Sequence, residues 1–203
     1  MRAASSALWR QIVRWHWISS AVCLVGMLLF ALTGITLNHA ADIEAHPVVT
    51  TWQGTLPAPL RASLAAQDEG EAPLPRAVRD HLVQETGNDP GARVAEWKGG
   101  EIYLSLPRPG GDAWLSVDID SGEWLLERTD RGVIAWLNDL HKGRNTGTAW
   151  SWFLDIFAVG CVVFCLTGLL LLYRYAGARR STWPLVGLGV VVPALLLLLF
   201  VHA

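Results

Sequence analysis

The sequence predicts a membrane α-helical protein with three transmembrane helices and an α+β external insert between helices one and two. Three observations predict it. Residues 17–38, 147–174 and 183–203 hold apolar runs, and a bilayer crossing takes roughly 20 such residues per helix. The polar stretch between the first two runs carries helix-like and strand-like patterns divided by turn residues. Finally, residues 30–37 (FALTGITL) and 164–171 (FCLTGLLL) repeat one Phe-x-Leu-Thr-Gly-Ile/Leu-x-Leu string inside the first two runs.

The first run reads as an anchor that stays. It exceeds the roughly 7–15 apolar residues of a cleaved signal core, and no small-x-small site follows Asn38 and His39 cleanly. Orientation follows the arginines: Arg2, Arg10 and Arg14 precede helix one, and Arg174, Arg179 and Arg180 crowd the short 175–182 loop. Lys142 and Arg144 argue weakly the other way. The expectation is a multi-pass protein of the bacterial inner membrane. Its 1–16 segment and 175–182 loop would be cytoplasmic, and residues ~40–146 and the C-terminus periplasmic. Trp9, Trp15, Trp17, Trp150, Trp152 and Trp183 stand near the helix ends, as interfacial aromatic belts do.

Cys23, Cys161 and Cys165 all fall in the spans. The insert therefore has no disulfide, and no Cys-x-x-Cys-His is present for covalent haem attachment. The insert is rich in acids (Asp118, Asp120, Glu123, Glu127 and Asp130 among them), which disfavours nucleic acid as its partner.

Within the insert, residues 39–73 are expected to form an irregular linker arm, because Pro47, Pro57, Pro59, Gly70 and Pro73 interrupt any sustained period. A module over 74–130 follows. Ala77, Val78, His81 and Leu82 suggest an amphipathic helix over 75–86, stopped by Gly87-Asn88-Asp89-Pro90. Strand-like runs occupy 93–97, 101–106 and 113–119, with a short fourth at 123–127. One helix on a three- or four-stranded antiparallel meander is the expected module, leaving 131–146 as an amphipathic connector.

The Val117-Asp118-Ile119-Asp120-Ser121-Gly122-Glu123 turn after such strands resembles the end of a PepSY module. The stretch from Trp136 through His141, Lys142 and Gly143 to Asp155 and Leu166-Thr167-Gly168 resembles the PepSY-associated transmembrane helix family. That resemblance implies a PepSY-like external insert. It also implies likeness to haem-bearing reductases that pass electrons across the inner membrane to iron chelates or flavins.

The histidines carry most of the functional question. His46 and His81 read as solvated, and His202 as a frayed end. A helix running from His16 to His39 is about 34 Å long, so these two cannot grip one iron. His39 and His141 are expected at the external ends of neighbouring spans, where they would clamp the iron of a haem b. Gly34 and Gly168 would give a flat macrocycle room near the backbone, beside Thr33 and Thr167. His16 is a less certain ligand, open to a single-haem monomer or to a homodimer sharing a second haem. The competing reading is plain helix packing through small residues, with His39 capping a helix C-terminus for roughly 0.3–1 kcal/mol. Asp155, the one acid inside a span, is either an orienting or proton-passing group or simply interfacial.

No phosphate loop, nucleophile elbow or His-Glu-x-x-His site occurs. The chain thus reads as an electron-transfer component rather than a complete enzyme. It would use a separate donor (quinol or a reductase) and an external acceptor, a ferric chelate or flavoprotein. The alternative is a haem-free PepSY anchor that inhibits a peptidase or senses a partner, its sheet edge suited to strand addition. A metal-transport accessory is disfavoured by the lack of a Met-, Cys- or His-rich external tract.

Overall fold

The structure, a computed structural model, describes residues 2–201. His202 lies outside the described residues, as does the side chain of Arg2. The chain divides into two compact units: residues up to Leu29 together with those from Trp152 onward, and Phe30–Ser151.

Three helices are long and apolar enough to cross a membrane: α1 (Arg2–Asn38), α5 (Thr148–Tyr175) and α6 (Thr182–Phe200). Their outward residues are almost all Leu, Val, Ile and Phe, the surface expected when hydrocarbon is the solvent. α1 begins well before the expected span, so the arginine-bearing N-terminal segment is helical too. In the unit that holds α5 and α6, small residues permit close approach. A Cβ on Gly26 would strike the Phe157 ring, and one on Gly160 would lie 2.7 Å from Cys23 Sγ. A 3-10 turn, Ala176–Ala178, leads from α5 toward α6.

The second unit contains a six-stranded antiparallel sheet in the order β1-β6-β5-β4-β3-β2. Its strands are β1 (Val48–Thr55), β2 (Gly70–Pro73), β3 (Val94–Lys98), β4 (Glu101–Ser105), β5 (Gly111–Asp118) and β6 (Glu123–Asp130). Burial alternates along β3 and β4, with Ala95 and Trp97, then Ile102 and Leu104, turned inward. Leu115 and Val117 of β5 and Trp124 and Leu126 of β6 complete that face. Against it pack α2 (Ala58–Ala65) through Leu64 and α3 (Arg76–Thr86) through Val78 and Leu82, giving one core.

The 39–73 arm is not irregular, and here the expectation is corrected. It supplies both edge strands and a helix. β1 pairs with β6 from Val48↔Asp130 to Thr55↔Glu123, and β2 pairs with β3. The prolines punctuate these elements instead of breaking them. Pro47 precedes β1, Pro57 caps α2, and Pro73 ends an edge strand, where a missing N–H costs no ladder bond. The meander is correspondingly larger than the three or four strands expected.

After β6, α4 (Val133–Lys142) packs back on the sheet. Its attachment is specific. The Asp139 carboxylate accepts the buried Gly110 N–H at 2.9 Å, and Arg131 N–H donates to the Gly110 carbonyl at 2.8 Å. Gly110 sits at φ 73°, and a Cβ there would meet Trp136 Cβ at 2.7 Å, so only glycine fits this turn. Arg108–Asp130 and Arg131–Asp112 ion pairs brace the same corner.

Candidate functional site

Each copy of the repeated string forms a socket for an imidazole. Phe and Thr at i and i+3, with Gly next, share one helix face. In α5 that face receives His16. The ring stacks on Phe164 with centroids 4.9 Å apart and planes at 14°, and its Nδ1 lies 3.0 Å from Thr167 Oγ1. A Cβ on Gly168 would stand 3.3 Å from His16 Cε1. In α1 the corresponding face receives His141. Its Nδ1 is 2.7 Å from Thr33 Oγ1, its ring is 5.0 Å from that of Phe30, and a Cβ on Gly34 would lie 3.6 Å from its Cε1. Gly168 makes room for the His16 ring, whereas a methyl at Gly34 would meet His141 at ordinary contact distance.

The threonine contacts favour one imidazole tautomer. A hydroxyl has one proton. Thr167 Oγ1 lies 2.6 Å from Val163 O and 3.1 Å from Phe164 O, and Thr33 Oγ1 lies 3.2 Å from Phe30 O, as threonines donating to their own helix do. A hydroxyl so engaged accepts from the ring, which matches the tautomer with hydrogen on Nδ1 and the lone pair on Nε2. In that form a histidine ligates a metal or accepts a proton through Nε2.

The two imidazoles arrive differently. His16 is part of α1 itself, half-buried, and lines a cavity of about 460 Å³. Leu171, Leu172 and Tyr175 give that cavity an apolar stripe, while Arg179 and Thr182 stand at its polar side. His141 comes from the last turn of α4, which ends immediately after it at Gly143 in the left-handed conformation (φ 67°). One turn earlier, buried Asn138 accepts a hydrogen bond from Thr36 at 3.0 Å, so α4 is registered on α1 at two points. The Trp150 indole N–H fixes the end of α4 by donating to Leu140 O at 2.9 Å.

His39 does not join His141. Its Nδ1 is 3.3 Å from Asp42, and its side chain is 59% exposed. It also stands five residues beyond Gly34, about 8 Å further along α1 than the His141 ring. Thr33, Thr167, Gly34 and Gly168 are brought to histidines, but as two sockets. Asp155 is exposed on α5 and makes no ion pair among the described residues. The repeat is the sequence signal for the two receptor faces, and it does not by itself name His16 and His141 as their occupants.

The chain matches the family model for PepSY_TM-like proteins over residues 7–202. The chain belongs to the PepSY_TM-like family. It matches no curated protein and no solved structure. Among the described residues no group of three or more His, Cys, Asp or Glu side chains is placed to hold a metal ion, while each socket offers a single imidazole. A haem iron would suit that donor set. An iron-ligating imidazole needs an Nε2 lone pair and a satisfied Nδ1–H, and the threonine contacts of His16 and His141 suit that form.

Proposed function

We propose that this PepSY_TM-like protein is the b-type haem electron-transfer component of a membrane reductase, in which His16 and His141 would each hold a separate haem iron through Nε2. The observation that supports the reading is the pair of contacts between imidazole Nδ1 and threonine Oγ1, which suit the ligating tautomer of both rings. When bound, haem supplies a one-electron iron(III)/iron(II) couple. Thr33 and Thr167 orient the rings, and Phe30 and Phe164 shield one face of each from water. Around His16, Leu171 and Leu172 would cover the macrocycle while Arg179 would pair with a propionate.

Electrons would enter from a quinol or a separate reductase and leave to a ferric chelate or flavoprotein docked on the external module. The bacterial inner membrane, with the arginine-rich helix ends in the cytoplasm and the sheet module in the periplasm, is the matching location. The test is a reduced-minus-oxidised absorption spectrum of the detergent-purified chain, expressed with ample haem. Sharp α and Soret bands are expected. A colourless protein would overturn the reading in favour of a membrane-anchored PepSY binding module.

A further inference from the structure

We infer that the arginine-rich end of α1 and α5 is a binding site for the headgroup of an anionic phospholipid. Arg10, Arg14 and Arg174 line a groove of about 900 Å³ together with Trp9, Trp17 and Tyr175. Arg10 and Arg14 lie one turn apart on α1, and all three arginines are exposed. The Arg174 guanidinium stands 6.0 Å from the Trp9 ring centroid and 5.5 Å from that of Tyr175. The two rings hold its position by cation–π attraction and leave its N–H groups free to donate.

No ion pair neutralises these cations among the described residues. The compact unit that contains them has one acid in its sequence, Asp155. Its sequence carries Arg2, Arg10, Arg14, Arg174, Arg179 and Arg180 against that single carboxylate.

The cluster therefore attracts a counter-anion, and the lining selects its kind. Guanidinium groups match a phosphodiester through paired N–H donors. Tryptophan and tyrosine favour the level of lipid headgroups. At helical spacing the same face of α1 continues through exposed Leu24 and Leu28, seven and eleven residues after Trp17, and α5 presents exposed Leu170 one turn before Arg174, a surface along which acyl chains can lie. A soluble phosphate would use the arginines but gain nothing from that apolar face. The site is separate from the two histidine sockets and does not depend on haem.

The test uses the delipidated full chain in detergent, offered equimolar phosphatidylglycerol and phosphatidylcholine, with bound lipid counted by native mass spectrometry. Phosphatidylglycerol is expected to be retained about fivefold or more over phosphatidylcholine. Arg174→Gln should cut that preference severalfold, whereas Arg76→Gln, on α3 of the other unit, should not change it. The Arg10→Lys/Arg14→Lys/Arg174→Lys variant keeps the charge that orients the helices. It should lose part of the preference, because lysine lacks the paired donors. Equal retention of the two lipids by the unmodified chain would overturn the proposal, and this needs no variant to fold. Full displacement of phosphatidylglycerol by millimolar inorganic phosphate would also overturn it, by showing a site for phosphate alone.

Discussion

The His16 and His141 sockets use the same receptor, Phe-x-x-Thr-Gly, yet differ in what holds the histidine. His16 is carried by a helix of spanning length and lies beside a cavity with an arginine at its rim. His141 is carried by α4, which Asp139 ties to the β4–β5 turn and Asn138 ties to α1. One site is thus built within the helices, while the other is positioned by the folded sheet module. The difference teaches that the sheet module has a mechanical task inside the protein: it sets where His141 stands. A partner or ligand that shifted α4 on the sheet would move that imidazole and leave His16 alone.

The largest effect expected is that of Asp139→Ala. It leaves the Gly110 N–H buried without an acceptor, a loss of about 1–3 kcal/mol from the sheet unit. Thermal unfolding followed by circular dichroism should register the lower stability, and the spectral signature that depends on His141 should disappear while that of His16 persists. Simultaneous loss of both would contradict independent sockets.

Next come the glycines. Gly168→Ala puts a methyl 3.3 Å from His16 Cε1, tighter than ordinary contact, whereas Gly34→Ala places it at 3.6 Å from His141, within normal packing. The first should displace its ring and the second should be tolerated. Equal damage from both would dissolve the contrast.

Smaller again is Thr33→Val or Thr167→Val, each removing a hydrogen bond of about 0.5–1.5 kcal/mol without changing side-chain shape much. Nitrogen-15 spectra of labelled histidine should show the affected ring losing its fixed Nδ1–H tautomer, and Thr→Ser should restore it. An unchanged tautomer in the valine variants would remove the threonines from the orienting role.

The smallest effect lies far from either socket. The Ser121 backbone N–H, then the Ser121 hydroxyl, hold the Asp118 carboxyl below its ordinary value, with burial opposing and the Asp120 N–H assisting. A depressed folded value means that this contribution is present above the unfolded value and is lost as pH falls through the folded one. Asp118→Asn should slightly lower stability near neutral pH and flatten the acid limb of the pH–stability curve. An acid limb unaltered by the substitution would show that the Val117–Gly122 turn does not use the charge.

Much of this was legible in the sequence, unevenly. The three long apolar helices follow from apolar runs of bilayer-crossing length. The strands β3 to β6 follow from alternation that survives in the structure. β1 carries a strand signal too, the β-branched and aromatic run Val48, Val49, Thr50, Thr51 and Trp52, but Pro47 and Pro57 on either side mask it and its partner β6 lies far along the chain. The receptor half of each socket was in plain view as the repeat. Its occupants were not, since His16 meets Thr167 across 151 residues and His141 meets Thr33 across 108. Proximity to the first repeat drew attention to His39, whose ring turns instead to Asp42 three residues on.

The most direct test of the two-socket electron carrier is a pyridine haemochrome count on purified full-length protein and on three single variants, His16→Ala, His141→Ala and His39→Ala. Bound haem in the unmodified chain, reduced by His16→Ala and by His141→Ala but unchanged by His39→Ala, is the expected pattern. Haem that depends on His39 and ignores His16, or no haem in any of the four proteins, would contradict it.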